Sequence, residues 1–191
     1  MEKPEKSEAI LEGKEVLLCL TGGIACYKCA DLASGLVQDG AGVSVAMTKA
    51  AEQFITANTF RALTGRNVYS DLWQSSSTYE FQHISLTERA DLMVIAPATA
   101  NIMAKMVCGI ADDLVSTMTL SACGACPIIV APAMNSRMWN APATVENCRK
   151  LKERGVIMVG PATGRLACGS SGEGRMAEVA EIKQAIYDIL K

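Results

Sequence analysis

Short apolar runs alternate with segments of helical spacing along most of the chain. The apolar runs predict five buried strands, at residues 15–20, 43–47, 91–96, 127–131 and 156–159. Apolar residues three and four positions apart predict helices between them, at residues 24–38, 50–64, 100–107, 112–122, 144–153 and 178–190. This alternation predicts an α/β fold with three layers, in which helices cover both faces of a doubly wound, flavodoxin- or Rossmann-like parallel sheet.

A polar N-terminal segment and a glycine-rich segment stand apart from the predicted strands and helices. Residues 1–14 are a polar lead-in, and residues 15–191 are long enough for a single domain with a sizeable core. Residues 164–176 carry too much glycine and serine for a helix or strand, so we expect a loop that is either filler or a lid over a site. Pro97 and Pro132 are expected to end two of the strands.

Three predicted strands end in loops of unusual composition. These loops are residues 21–23, residues 97–101 and residues 132–135. Ligands of parallel α/β sheets bind outside the carboxyl ends of the strands. We therefore expect the three loops to meet at one edge of the sheet and to form the functional site.

Composition and charge exclude several classes of function. The net charge is −2, and no run of basic residues is interleaved with aromatics, so we expect no nucleic-acid partner. No apolar stretch is long enough to span a bilayer, and the charged N-terminus lacks the apolar core of a secretory signal. We therefore expect a cytoplasmic protein that has no membrane anchor and no membrane partner.

The eight cysteines include two pairs with C-x-x-C spacing, Cys26 with Cys29 and Cys123 with Cys126. Such pairs occur in zinc sites and redox sites, and also as small buried apolar residues. We favour structural cysteines, because the first pair lies among apolar neighbours in a predicted helix and a reducing cytosol disfavours disulfides. No metal site is predicted.

The polar residues of the strand-end loops each have two interpretations. Gly22 and Gly23 lead into a helix whose N-terminus can bind a phosphate, but a tight turn without a ligand fits equally well. Thr48, Thr99 and Asn101 follow strands, where they can bond a cofactor or cap the helices after them. The loops alone leave both interpretations open.

Other residues are candidates for the chemistry itself. His83 is the only histidine and so the only neutral imidazole base, although a lone histidine is more often structural. Asn135 can donate to and accept from a carboxylate or an amide, or it can cap a helix. Cys168 and Arg175 place reactive side chains in the glycine-rich segment, which favours a lid.

Several motifs occur together in an order that is more specific than any one of them alone. They are Gly22-Gly23-Ile24-Ala25 with Lys28, His83-Ile84-Ser85-Leu86, Ala96 through Asn101, Gly109 through Asp113, Pro132 through Trp139, and Ala167-Cys168-Gly169 with Gly172 through Met176. In these motifs the chain resembles the homo-oligomeric flavin-containing cysteine decarboxylases, from about Lys14 to Leu190. Within that family it is most similar to the phosphopantothenoylcysteine decarboxylases, which occur alone or as the N-terminal half of a bifunctional coenzyme A biosynthesis protein.

The resemblance implies FMN as the cofactor and a role for each matching residue. The cofactor-binding residues would be Gly22, Gly23, Ile24, Thr48, Ala98, Thr99, Ala100, Asn101 and Ala133. The substrate-binding residues would be Asn135, Met138, Ala167, Gly174, Arg175 and Met176. Asn135 would hold the substrate carboxylate, His83 would be the catalytic base, and Cys168 would return the reaction to the saturated product. The segment 167–176 would be a substrate clamp.

The reaction implied by the resemblance is the FMN-dependent decarboxylation of 4′-phosphopantothenoylcysteine to 4′-phosphopantetheine. Members of the family form trimers or dodecamers with flavin sites at subunit contacts, so the resemblance implies a homo-oligomer in which His83 serves a neighbouring flavin. It also implies a phosphopantothenoylcysteine synthetase as an attached domain or a partner. Ser170 is a departure, since many bacterial relatives carry aspartate there.

Two related functions stay open as alternatives. A peptidyl-cysteine decarboxylase of lantibiotic maturation shares the fold, FMN, a histidine and the Pro-x-Met-Asn motif, but it stops at the enethiol and does not need Cys168. A regulatory flavoprotein without enzyme activity carries long acidic extensions and often lacks a catalytic residue. This chain has neither feature.

Overall fold

Six parallel strands form the central sheet in the part of the chain that the structure describes. The computed structural model describes residues 9–73, 82–165, 169 and 171–191. The strands of the sheet are β1 Glu15–Leu20, β2 Gly42–Met47, β3 Val68–Tyr69, β4 Leu92–Ala98, β5 Ile128–Pro132 and β6 Ile157–Met158. Their order is β3-β2-β1-β4-β5-β6, so the chain winds outward in both directions from β1. The predicted doubly wound sheet is confirmed.

Helices cover both faces of this sheet. They are α1 Cys26–Gln38, α2 Ala57–Thr64, α3 Gln82–Arg89, α4 Ala100–Cys108, α5 Leu114–Ser121, α6 Ser136–Trp139, α7 Pro142–Glu153 and α8 Val179–Leu190. Helices α1, α2 and α8 bury Leu18 and Val45 on one face. Helices α3, α4, α5 and α7 bury Leu17 and Met93 on the other. Consecutive side chains of β1 therefore enter opposite cores, which confirms the three layers.

Within the described ranges, no helix is both long enough and apolar enough to cross a bilayer.

Pro97 does not end its strand as predicted, whereas Pro132 is the last residue of its strand. β4 continues through Pro97 to Ala98. The ladder between β4 and β5 is irregular between Ile95 and Ala98, so the missing N–H of Pro97 falls where regular pairing is already interrupted. The extension carries the end of β4 further toward the loop that follows it.

The starts of α1 and α2 differ from the prediction for reasons that the local structure shows. α1 begins at Cys26, later than predicted, because residues 21–25 form the turns that precede it. The predicted helix at residues 50–64 is divided into a 3₁₀ turn at Ala51–Gln53 and helix α2. Thr56 separates them, because it is extended (φ −85°, ψ 150°) as the N-cap of α2.

The expectation that residues 164–176 form neither helix nor strand was wrong. β7 (Ala162–Arg165) and β8 (Ser171–Arg175) pair as an antiparallel hairpin, with Arg165 opposite Ser171. Backbone groups pair without help from side chains, so glycine weakens a strand but does not forbid it where another segment holds it in place. This hairpin contains most of the predicted clamp.

Candidate active site

Three strand-end loops meet at the carboxyl edge of the sheet, as expected from their positions. The buried Thr21 hydroxyl donates to the carbonyl oxygen of Pro97 at 2.7 Å, and the amide of Thr99 donates to Thr21 Oγ1 at 3.1 Å. The amide of Ala133 donates to the carbonyl oxygen of Ala98 at 3.0 Å. These bonds join the ends of β1, β4 and β5 into one surface.

A cleft of about 510 Å³ opens on this surface. Its lining includes predicted cofactor- and substrate-binding residues, namely Gly22, Thr48, Thr99, Ala100, Asn101 and Met138. Four other predicted cofactor residues, Gly23, Ile24, Ala98 and Ala133, do not line it. Ala98 is fully buried in β4, whereas the Ile24 side chain is exposed. The cleft therefore brings together a part of the predicted set.

Several lining residues were not predicted from the sequence. They are Lys49, Ser70, Asp71, Lys105 and Asp112, among others. Ser70 and Asp71 follow β3, whose two residues are too short to be recognised as a strand from their own pattern. Lys105 enters the cleft because α4 packs beside the start of α5, and that packing has no signal in the local sequence.

Lys105 forms an ionic cluster in the wall of the cleft. Its ammonium lies 2.5 Å from Asp112 Oδ1 and 2.7 Å from Asp113 Oδ2. Burial acts to lower the pKa of Lys105, but the hydrogen bonds to Asp112 and Asp113 outweigh it and raise the pKa. Asp113 also caps α5 in a capping box with Ser116. The cluster fixes α4 against α5 and keeps a cation at the cleft wall.

The glycine loop and the loop after β2 fit closely together. A Cβ atom at Gly22 would lie 2.4 Å from Ala50 Cβ, so only glycine lets the loops approach this closely. Thr48 Oγ1 accepts a hydrogen bond from the amide of Ala51 at 3.1 Å, which leaves its own O–H able to donate elsewhere. Helix α1 starts beside these groups without a side-chain cap. A helix N-terminus next to hydroxyl donors suits a phosphorylated, polyhydroxylated cofactor.

At Thr99 and Asn135, capping a helix is compatible with the predicted binding of the cofactor and of the substrate, respectively. Thr99 Oγ1 accepts from the amide of Ile102 at 3.3 Å and so caps α4, while the residue also lines the cleft. Asn135 Oδ1 accepts from the amide of Arg137 at 2.8 Å and so caps α6. The cap uses the oxygen of the Asn135 side chain, and α6 carries Met138 into the cleft lining.

The β7–β8 hairpin is seated on the loop that contains Asn135. The amide of Met134 donates to the carbonyl oxygen of Gly174 at 2.8 Å. Gly174 has a φ of +133°, and a Cβ atom there would lie 2.3 Å from the carbonyl oxygen of Met134. A Cβ atom at Gly172 would lie 2.5 Å from Ser136 Oγ. Both glycines are therefore required for the hairpin to lie on this loop.

Ser136 Oγ is buried beneath the hairpin and has no hydrogen-bond partner among the described residues. Of the predicted clamp residues, Arg175 is half-buried and pairs with Glu178. Met176 is 1% exposed and packs in the core, so its side chain does not reach the site surface. Ala167, Cys168 and Ser170 lie outside the described residues.

His83 lies in the first turn of α3 and does not line the cleft. Its backbone carbonyl oxygen accepts from Thr87 Oγ1 at 2.8 Å and from Ser121 Oγ at 3.3 Å, which ties α3 to α5. The imidazole is partly exposed at this helix surface. The structure of one chain thus leaves the predicted base apart from the predicted cofactor residues.

The first cysteine pair is part of the core. The Cys26 thiol donates to the carbonyl oxygen of Thr21 at 3.2 Å, and the Cys29 thiol donates to that of Ala96 at 3.1 Å. Burial raises the pKa of both thiols, which keeps them protonated and unreactive at neutral pH. The predicted structural role fits this pair.

The second pair lies at the opposite edge of the sheet. Cys123 is exposed, and Cys126 is partly buried in the loop before β5. Within the described ranges, no group of three or more histidine, cysteine, aspartate and glutamate side chains is arranged to hold a metal ion.

Curated proteins of similar sequence include bifunctional proteins of coenzyme A biosynthesis. Over 172 residues the chain is 45% identical to the coenzyme A biosynthesis bifunctional protein CoaBC of Vibrio cholerae, and the match covers 90% of this chain and 43% of that protein. The chain thus spans less than half the length of this relative.

Solved structures match over most of their length. A cysteine-to-serine mutant of PPC decarboxylase, complexed with pantothenoylaminoethenethiol, superimposes with a TM-score of 0.84 at 32% identity, covering 91% of this chain and 96% of that one. SpaF, an FMN-dependent cysteine decarboxylase, gives a TM-score of 0.79 at 28% identity, covering 94% and 97%. The Flavoprotein family model matches residues 4–191, and the chain therefore belongs to the Flavoprotein family.

Proposed function

We propose that the chain is an FMN-dependent decarboxylase that converts 4′-phosphopantothenoylcysteine to 4′-phosphopantetheine in coenzyme A biosynthesis. The observation that carries the proposal is the seating of the β7–β8 hairpin on the loop that holds Asn135. This contact brings the predicted clamp to the predicted carboxylate-binding residue. The 45% identity to CoaBC and the match to PPC decarboxylase support the choice of substrate.

FMN would be held at the cleft between the strand-end loops. The N-terminus of α1 and the hydroxyl of Thr48 would bind its phosphate, and Thr99 and Asn101 would bond its polar edge. When bound, FMN supplies the oxidation of the substrate CH2–SH group to a thioaldehyde and the later return of the same two electrons. The residues of the chain then have to bind the substrate, orient it and move its protons.

Asn135 and His83 would act in the first half of the reaction. His83 would accept the thiol proton as the CH2–SH group is oxidised. Asn135 would hold the carboxylate β to the new C=S group through its side-chain amide. Loss of CO2 from that position leaves an enethiolate, in which the C=S group has accepted the electron pair of the broken bond.

Cys168 would act in the second half of the reaction. Reduction of the enethiol needs a proton on the carbon that lost CO2, and the Cys168 thiol would donate it. The complex of a cysteine-to-serine mutant of PPC decarboxylase with an aminoethenethiol supports this role, because that ligand keeps the double bond.

We also propose an assembly. His83 does not line the cleft of its own chain, so it would serve the cofactor of a neighbouring subunit in a trimer or dodecamer. A phosphopantothenoylcysteine synthetase, attached or separate, would supply the substrate, since CoaBC is named as bifunctional. The substrate carries a phosphate and a carboxylate and so does not cross membranes unaided, which favours a cytoplasmic location.

A peptidyl-cysteine decarboxylase is the second candidate function, because SpaF has a similar fold. That reaction ends at the enethiol and does not require a proton donor such as Cys168. The position of a cysteine within the glycine-rich clamp therefore favours the coenzyme A substrate.

The test is to purify the full chain, record its flavin absorbance, and supply 4′-phosphopantothenoylcysteine or a peptide with a C-terminal cysteine. We expect bound flavin, and CO2 and 4′-phosphopantetheine in equal amounts from the first substrate only. Turnover of the peptide alone would establish the second candidate instead. Absence of both flavin and turnover would overturn the proposal.

Two variants then assign the steps. Cys168→Ser should still release CO2 but accumulate the oxidised enethiol, whereas His83→Asn should release no CO2 while keeping its flavin. A normal yield of 4′-phosphopantetheine from Cys168→Ser would remove Cys168 from the mechanism.

A further inference from the structure

Glu178 lies where the hairpin, helix α1 and helix α8 meet. Its Oε2 accepts from Lys28 Nζ at 3.0 Å, and its Oε1 accepts from the guanidinium of Arg175. Its backbone amide donates to Glu181 Oε2 at 2.8 Å, at the start of α8. We propose that Glu178 is a positioning residue that fixes the clamp hairpin to helix α1, which follows the glycine loop at residues 21–23. This inference rests on the proposed function.

Lys28 is the end of this link on helix α1. Its side chain is only 12% exposed because its stem is packed, while its ammonium contacts a Glu178 side chain that is 50% exposed. Glu178 supplies this anionic contact from the loop that connects β8 to α8. The hydrogen bond from Lys28 also holds the pKa of Glu178 below its usual range, so the carboxylate is ionised at neutral pH.

The hairpin is also held at other points, but among the described residues none of them is a side-chain ion pair to helix α1. The bond from the Met134 amide to the Gly174 carbonyl oxygen joins β8 to the Asn135 loop. Met176 and Ala177, directly after β8, are anchored in the core. The Arg175–Glu178–Lys28 link is therefore the side-chain connection, among the described residues, from the clamp to the helix that follows Gly22.

The link has a consequence for the product. Cys168 falls between β7 and β8 in the sequence, so the hairpin governs where the proposed proton donor is delivered. A hairpin released from α1 leaves decarboxylation possible but delivers the donor less reliably. The oxidised enethiol then escapes before reduction, the two electrons taken from the substrate pass to dissolved oxygen, and the ratio of CO2 to 4′-phosphopantetheine rises above one.

The test separates the ion pairs from the helix cap. Glu178→Asn keeps a good N-cap residue but is too short and uncharged for the two cations. Lys28→Met removes the other end of the link. Glu181→Gln is the matched control, because glutamine preserves the capping box and this residue contacts neither cation.

We expect Glu178→Asn and Lys28→Met each to raise the KM for the substrate about threefold, the effect of losing a largely exposed ion pair. Both variants should also raise the ratio of CO2 to 4′-phosphopantetheine. The double variant should be no worse than either single one, because both remove the same link. Glu181→Gln should match the unaltered protein. Equal amounts of CO2 and 4′-phosphopantetheine with an unchanged KM in both variants would overturn the inference.

Hydrogen exchange tests the link without turnover. In the flavin-loaded chain, the Met134 amide that bonds Gly174 should exchange faster in Glu178→Asn and Lys28→Met than in Glu181→Gln. Unchanged exchange in both variants would overturn the inference even if the chain proved inactive on the substrate. If the unaltered chain shows no turnover but the exchange rates rise, the proposed function fails and the positioning role stands.

Discussion

The two ends of the parallel sheet are built by different means. At the carboxyl end, backbone segments approach one another so closely that Gly22, Gly172 and Gly174 leave no room for a Cβ atom. At the amino end, charged side chains hold the elements together. The difference predicts that added atoms do their greatest damage at the carboxyl end, whereas the amino end is damaged mainly by removing charges.

The amino end is rich in such contacts. Arg66 forms a bidentate ion pair with Glu15 at the start of β1. Asp91 Oδ2 accepts the amide of Glu15 at 2.8 Å. Arg154 donates to the carbonyl oxygens of Met106 and Val107 at the end of α4. Each contact satisfies groups that a strand or helix end would otherwise leave unpaired.

The largest effect is expected from Gly174→Ala at the carboxyl end. The added methyl group would overlap the carbonyl oxygen of Met134 and lift the hairpin from the Asn135 loop. Such a displacement should lower kcat/KM about 100-fold. The measurement is steady-state decarboxylation by the flavin-loaded protein.

Gly124→Ala is the control for the backbone effect alone. Gly124 has a φ of +80° in the loop before β5, with open space around it. The substitution should lower the free energy of unfolding by about 1 kcal/mol and leave activity unchanged. Equal losses of activity in Gly174→Ala and Gly124→Ala would break the contrast between the two ends.

The next effect is expected from Thr21→Val. The change keeps the shape of the side chain but leaves the amide of Thr99 and the carbonyl oxygen of Pro97 without their buried partner. It should lower the free energy of unfolding by about 2 kcal/mol and weaken FMN binding. Urea denaturation and a flavin fluorescence titration measure the two effects.

Thr119→Val is the matched control, since the Thr119 hydroxyl donates only to the carbonyl oxygen of Ser116 within α5 among the described residues. Thr119→Val should change neither the free energy of unfolding nor the affinity for FMN appreciably. A Thr21→Val protein that binds FMN as tightly as the control would show that joining β1 to β4 is unimportant for the cofactor.

A smaller effect is expected from Glu15→Gln at the amino end. The hydrogen bond from Arg66 is the main cause that lowers the pKa of Glu15. Loss of the pair should lower the free energy of unfolding by about 0.5–1 kcal/mol at pH 7. Activity at pH 7 should be unchanged.

The difference in stability between the unaltered protein and Glu15→Gln depends on pH in a definite direction. A folded-state pKa below the unfolded value of about 4.3 means that the stabilisation is present above that pH. It is lost as the pH falls through the folded-state pKa. The stability of the unaltered protein and of Glu15→Gln should therefore converge in acid, and urea melts that diverge there would contradict the assignment.

The smallest effect is expected from Tyr187→Phe. The Tyr187 hydroxyl donates to Asp39 Oδ2 at 2.5 Å, but Lys183 also lies 2.8 Å from that oxygen. Because Asp39 keeps a partner, the free energy of unfolding should fall by about 0.5 kcal/mol. Lys183→Met is the comparison, and it should cost more because it removes the charged partner.

The central strands were predictable because their own side chains define them. β1, β2, β4 and β5 are apolar runs buried on both faces, and their limits agree with the pattern to within about two residues. β3 and the β7–β8 hairpin depend on pairing with neighbouring backbone, and their residues carry no comparable signal. Helices α3 and α6 were not assigned in advance either.

The candidate site was predictable only where it is made of strand-end loops. Thr48 and Thr99 follow strands that the pattern reveals, and both line the cleft. Lys105 and Asp112 meet there because two helices pack side by side, which only the tertiary structure shows. Glu178 was not singled out, since its partners lie on α1 and at the end of β8.

The contact between Gly172 and Ser136 influences the order in which this site can evolve. A side chain at position 172 would collide with the Ser136 oxygen at 2.5 Å but would stay 3.4 Å from the Ser136 Cβ atom. Position 172 can therefore accept alanine if the Ser136 hydroxyl rotates away, and it accepts alanine without a clash once position 136 has lost its hydroxyl. A lineage that changes 136 first meets no obstacle at 172, so this order of substitution is favoured.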